Sequence, residues 1–171
     1  AKSRTCGGAA IRKDIAAIVS GMKLHATHAG IQEKACEAVL ELTPCVETEE
    51  WRKVEDEKGD ALDSVMAKYA EFATLGVIEH LVQVLSLHMQ STSAVISTCK
   101  IIRCISRNDD NKVLIAKEGG IPKILAALDK HAQHAGVVEQ ACEAVRNLAA
   151  NAGNQVLIAE LGGIPLILAA L

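Results

Sequence analysis

"NKVLIAKEGGIPKILAAL" spans residues 111–128, and "NQVLIAELGGIPLILAAL" spans residues 154–171. The two agree at 14 of 18 positions and begin 43 residues apart. A fixed period of that size marks a solenoid, in which each copy of a short helical unit covers the apolar face of the next. One period earlier, "KYAEFATLGVIEHLVQVL" (68–85) places Gly76, Ile78, Leu81 and Leu85 under Gly119, Ile121, Ile124 and Leu128. The segments between these stretches repeat as well. "HATHAGIQEKACEAVLEL" (25–42), "HMQSTSAVISTCKIIRCI" (88–105) and "HAQHAGVVEQACEAVRNL" (131–148) align so that Cys36, Cys99 and Cys142 share one position. Cys36 and Cys99 are 63 residues apart, whereas Cys99 and Cys142 are 43 apart. The excess is assigned to an acidic insert at residues 44–63, between a first unit (1–43) and a second (64–107); a third unit (108–150) and a partial fourth (151–171) follow.

Each unit resolves into three helices. "NKVLIAKE" (111–118) is a short helix that Asp109 or Asp110 can cap with a side-chain oxygen. Gly119 and Gly120 end it, and Pro122 suits the first turn of the next helix because an amide there has no helical partner. The pairs Gly7–Gly8 and Gly162–Gly163 are read as the same punctuation. The third helix, "GVVEQACEAVRNLAAN" (136–151), is the longest. Its Val138, Ala141, Cys142, Val145, Leu148 and Ala149 recur at steps of three and four and form one apolar face, with Glu139, Glu143, Arg146 and Asn147 projecting elsewhere.

Composition agrees. Of 171 residues 50% are hydrophobic but only 2% aromatic, so the core is built from Ala, Val, Ile and Leu, which suits close-packed helices better than a β-sandwich or barrel. The formal charge of -3 supplies no broad attraction to phosphate backbones or anionic lipid, so neither nucleic acid nor membrane is an expected partner. The longest apolar run, in "GGIPLILAAL", is far short of the roughly 20 residues that cross a bilayer. The six cysteines include no Cys-x-x-Cys, and Cys36, Cys99 and Cys142 fall on the apolar stripe. All six are expected to be reduced thiols, which places the chain in the cytoplasm, with the nucleus as the alternative. Leu161 and Leu166 replace Glu118 and Lys123 of the preceding copy. A terminal repeat is normally capped with polar residues. With Ala1 in place of Met, this leads us to expect a fragment with further repeats beyond Leu171.

The short-short-long triplet, the Gly-Gly-Ile-Pro junctions and the "EQACEAVRNLAAN" helix resemble armadillo repeats. The resemblance implies an all-α, right-handed α-solenoid whose third helices line a concave groove for an extended peptide or partner protein. HEAT repeats, built from two helices, are the rival; the break between two short helices favours armadillo. Nuclear-import adaptors of this family carry a Trp and, four residues later, an Asn on each third helix. Here the Trp position holds Glu37, Lys100 and Glu143, and the Asn position holds Glu41, Cys104 and Asn147. Import recognition is therefore not expected. The groove row becomes Glu37, Glu41, Lys100, Arg103, Glu143, Arg146 and Asn147, suited to a protein or peptide partner with interleaved charges.

From Thr43 to Asp63 eight acids face three bases, with Trp51, the chain's single Trp, in the middle. Trp51, with Val54 and Leu62, is a candidate anchor for a partner, or else part of a solvated extension. Two histidine pairs, His25 with His28 and His131 with His134, stand before third helices. Two imidazoles three residues apart can share a metal, but no carboxylate or Cys is reliably placed beside them, so no metal is assigned. No phosphate loop, nucleophile elbow or paired-carboxylate cleft occurs, and no cofactor is expected. The function read from these residues is a non-catalytic interaction scaffold. Its alternative is a regulatory or substrate-recruiting module of a larger enzyme of the kinase or ubiquitin ligase type.

Overall fold

Glycine decides where the first helix of a unit gives way to the second. Gly76, Gly119 and Gly162 adopt φ of 71°, 80° and 71°, left-handed backbone that a side chain with Cβ strains to reach. The computed structural model describes residues 8–44 and 59–170. Every element among them is helical: α1 (Gly8–Leu24), α2 (Ala29–Leu42), α3 (Asp60–Thr74), α4 (Val77–Leu87), α5 (Thr92–Ile105), α6 (Asp109–Lys117), α7 (Gly120–Lys130), α8 (Ala135–Leu148), α9 (Ala152–Glu160) and α10 (Gly163–Ala170).

Gly120 opens α7 under a different constraint. A Cβ there would lie 2.6 Å from Cγ2 of Ile115 and 2.9 Å from its carbonyl oxygen, so the second helix leaves the first at backbone contact. Gly163 meets Ile158 in the same way. Gly120→Ala is expected to destabilise the chain by about 1–3 kcal/mol, because the obstructing carbonyl belongs to backbone and cannot swing aside. A shift of the urea midpoint measures it.

The first unit departs from the expected triplet. In the register that puts His25 under His131, Lys13 stands where later units carry the left-handed glycine, and α1 runs through as one 17-residue helix. The pair Gly7–Gly8 lies out of that register: Gly8 begins α1, and Gly7 is outside the described residues. In the second unit α3 starts at Asp60, four residues before the expected boundary, with Gly59 as its N-cap. Asn108, rather than Asp109 or Asp110, caps α6: its side chain accepts from the Asn111 amide, and the two aspartates occupy the first turn.

Helices of one kind stack on their own kind. First helices α3, α6 and α9 pack in succession, second helices α1, α4, α7 and α10 form another row, and third helices α2, α5 and α8 a third. Between the rows lies a single apolar core. The expected face of α8 is buried or half-buried, but Val137, Gln140 and Ala144 are buried too. Helix α5, flanked by α2 and α8, buries nine of its fourteen residues, because an interior third helix is covered on two flanks as well as on its core side.

Hydrogen bonds set the register between units. Asn111 Nδ2 donates to the carbonyls of Tyr69 (2.9 Å) and Ile105 (3.0 Å); one unit later Asn154 Nδ2 donates to Lys112 (3.2 Å) and Leu148 (3.1 Å). Nε2 of His88 lies 2.7 Å from the Ala26 carbonyl, and Nε2 of His131 lies 2.7 Å from that of Met89. A carbonyl only accepts, so both imidazoles carry the proton on Nε2.

Candidate functional site

The third helices α2, α5 and α8 run side by side and carry all seven groove residues. The structure draws Arg103, Glu143 and Asn147 together. Arg103 Nη1 donates to Glu143 Oε2 at 2.7 Å, with side-chain exposures of 18% and 31%. Asn147 Nδ2 donates to the Arg103 carbonyl at 2.8 Å. Both contacts join α5 to α8, so these three side chains tie neighbouring units to each other. Glu37 is engaged within its own helix by Lys34 at 2.7 Å. That carboxylate raises the pKa of the exposed Lys34 through a hydrogen bond and its charge, a surface pair of little energetic weight. Among the described residues, half-buried Lys100 and exposed Glu41 and Arg146 make no ion pair. Among the described residues the row of third helices therefore carries a negative charge at Glu41 and positive charges at Lys100 and Arg146 outside any ion pair.

Two features interrupt the expected row. Cys104, at the position shared with Glu41 and Asn147, is fully buried and disulfide-bonded, which corrects the reading of all six cysteines as thiols. Leu40 occupies the position of Arg103 and Arg146, so the guanidinium series begins only at the second unit. The candidate anchor Trp51 lies outside the described residues, as does most of the acidic insert. Of that segment's edges, Tyr69 donates its hydroxyl to the Pro44 carbonyl at 2.7 Å.

The histidines take structural positions. His28 and His134 are the N-caps of α2 and α8, their Nδ1 atoms accepting from the amides of Ile31 and Val137 at 3.4 Å. Ser91 caps α5 in the same place and also donates its hydroxyl to the Glu33 carboxylate on α2. That Ser91–Glu33 link was missed in the sequence; the only trace of it is that Ser91 aligns with His28 and His134. Among the described residues no three His, Cys, Asp or Glu side chains form a cluster able to hold a metal ion. No described helix is long and apolar enough to cross a membrane by itself.

Burial graded along the cysteine position has a chemical consequence. Desolvation pushes the Cys36 thiol up to about 11, against a smaller opposing effect of its contact with Thr98 Oγ1 at 3.7 Å, and pushes Cys99 up to about 12. The half-buried Cys142 is also raised by burial. The thiolate is the nucleophile, so at pH 8 iodoacetamide is expected to label Cys142 in the native chain and to leave Cys36 and Cys99 unmodified until unfolding. Peptide mapping by mass spectrometry reads the order.

Residues 108–150 match the family model described as Armadillo/beta-catenin-like repeat, a span that opens at the Asn108 cap and holds α6, α7 and α8. No curated protein and no solved structure matches the chain significantly. The matched segment is one complete triplet with a left-handed glycine between its short helices, so residues 108–150 are similar to an armadillo repeat.

Proposed function

We propose that this chain is a non-catalytic protein-interaction module, wound as a right-handed superhelix, which holds a partner segment across the row of third helices. The observation that carries the reading is the split among the groove side chains. Arg103, Glu143 and Asn147 are spent on holding α5 against α8, while Glu41, Lys100 and Arg146 face outward without an ion pair among the described residues. A rigid floor that supports uncompensated charges suits a partner whose own charges run in complementary order: a base opposite Glu41 and an acid opposite Lys100. The armadillo match supports interaction with protein.

The self-bound trio changes how the surface is best probed. Reversing Arg103 would set two negative charges against each other and strip the tie between α5 and α8. The test uses Glu41→Lys with Lys100→Glu, and Lys117→Glu on α6 as a control away from the third helices. In a pull-down from cell extract followed by titration of the captured partner, the double variant is expected to lose binding at least tenfold while the control keeps it. Equal capture by all three forms, or no saturable capture, would overturn the groove reading.

A further inference from the structure

We propose that Cys104 is bonded to Cys45, and that this disulfide is a redox-released clasp fastening the chain that leaves α2 to α5. Cys104 is 0% exposed and disulfide-bonded, whereas Cys36, Cys99 and Cys142 are thiols. The chain has six cysteines, so the partner is Cys6 or Cys45, neither of which is among the described residues.

Helix register selects between the two. A disulfide holds its Cα atoms only about 4.4–6.8 Å apart, so the partner stands directly opposite Cys104. Side-chain contacts between α2 and α5 join residues 58 apart (Glu33 with Ser91) and 62 apart (Cys36 with Thr98). Cys45 precedes Cys104 by 59 residues and falls within that range. Cys6 precedes it by 98 and comes before α1, which packs on α2 and α4. Hydrogen bonds also gather the neighbours of Cys45 and Cys104 around one residue. The Tyr69 hydroxyl donates to the Pro44 carbonyl at 2.7 Å, and the Arg107 guanidinium, three residues after Cys104, hydrogen-bonds to the same phenol. The Tyr69 carbonyl in turn shares the Asn111 Nδ2 donor with the carbonyl of Ile105.

The bond stands where the next interface uses polar side chains. Between α5 and α8, Asn147 reaches the Arg103 carbonyl and Glu143 the Arg103 guanidinium. Between α2 and α5 the matching positions hold Cys104, Lys100 and Leu40, and an aliphatic side chain offers Lys100 no charge. The first turn of α2 and the loop before it are tied to the second unit by Glu33 with Ser91 and by the Ala26 carbonyl with His88. At the last turn the covalent link takes over that task. A dithiol that attacks the disulfide returns both sulfurs as thiols and is itself oxidised to a disulfide; oxidised glutathione reverses this, releasing two molecules of glutathione. The oxidation state thereby sets whether the last turn of α2, with Glu41, is fixed against α5, whatever partner the third helices hold.

The test uses the whole chain equilibrated with oxidised glutathione, alkylated while unfolded, and cut with trypsin and Glu-C, which separates Cys36 from Cys45. A peptide containing Cys45 is expected to be linked to residues 104–107. In native hydrogen exchange, the amides from Val39 to Thr43 are expected to exchange about tenfold faster or more after reduction with dithiothreitol, while those of α8 keep their rate. Cys45→Ser should show the fast rate with and without dithiothreitol, and Cys6→Ser should behave as the wild type. If Cys45→Ser does not fold, the oxidised and reduced wild-type chains make the same comparison. The proposal is overturned if Cys104 is alkylated as a thiol or found linked to Cys6. It is equally overturned if reduction leaves the exchange of α2 unchanged or accelerates α8 to the same extent.

Discussion

Phe72→Ala is expected to lower the free energy of unfolding by about 3–5 kcal/mol, the usual range for deleting a buried aromatic ring. Phe72 is 1% exposed on α3 and, with Tyr69, is among the largest fully buried side chains of the described core. It stands at the position of Ile115 and Ile158. Those isoleucines sit against Gly120 and Gly163, whereas the junction beside Phe72 carries buried Val77. This level of the stack is filled by larger groups, and a ring removed from it leaves a void that neighbouring backbone cannot close. Urea denaturation followed at 222 nm measures the loss. For scale, Ile115→Val at the matching level should cost only about 0.5–1.5 kcal/mol. A change below that for Phe72→Ala would mean that α3 is not packed on α6 and α4 as described.

Asn111→Ala is expected to cost about 1–3 kcal/mol, since two hydrogen bonds of about 0.5–1.5 kcal/mol each are lost while the Ile105 carbonyl keeps the Asn108 amide as a donor. The Asn111 carboxamide is 1% exposed, and its Nδ2 is the donor to both Tyr69 and Ile105. The penalty is moderated because its own Oδ1 has no partner and leaves with it. Asn111→Asp preserves shape but cannot donate when ionised, so it should be at least as damaging at neutral pH. Burial would raise the folded pKa of that carboxyl above its unfolded value, so the stability it lacks at pH 7 should partly return as pH falls and the acid regains a proton to donate. Asn154→Ala should cost less, because its bonds are longer at 3.2 and 3.1 Å. Paired urea midpoints at pH 7 and pH 5 separate these cases. Equal stability of wild type and Asn111→Ala would remove the asparagine row from any account of how the units hold register.

Much of this was legible in the order of residues. The 43-residue period, the glycine at each break and the apolar positions of the third helices follow from local rules: which residues tolerate left-handed backbone, and which recur every three or four places. The unbroken α1 was legible too, since Lys13 replaces the glycine, but only once the first unit is aligned through His25 rather than through Gly7–Gly8. The Asn108 cap lay one residue before the two aspartates, either of which could serve equally well by type. The expected groove row is readable in the sequence as a set of aligned positions, but the division of those side chains into bound and unbound members is not. Arg103 reaches Glu143, one turn before the residue it aligns with, Arg146, a contact that a repeat alignment does not contain.

The sequence by itself determined the all-helical units, their period, the left-handed glycine junctions and the line of apolar side chains, because helix propensity, backbone sterics and periodicity act within a few residues. Only the tertiary structure decided which polar side chains are consumed between units. Asn111, Asn154, His88, His131 and Asn147 all reach carbonyls of a neighbouring unit about 40 to 60 residues earlier in the chain, and a residue's type does not disclose whether such a carbonyl lies within reach. Tertiary packing likewise made Cys142 half-exposed while its equivalents Cys36 and Cys99 are buried. In a stack, identical residues differ only in whether a neighbouring helix excludes water from them.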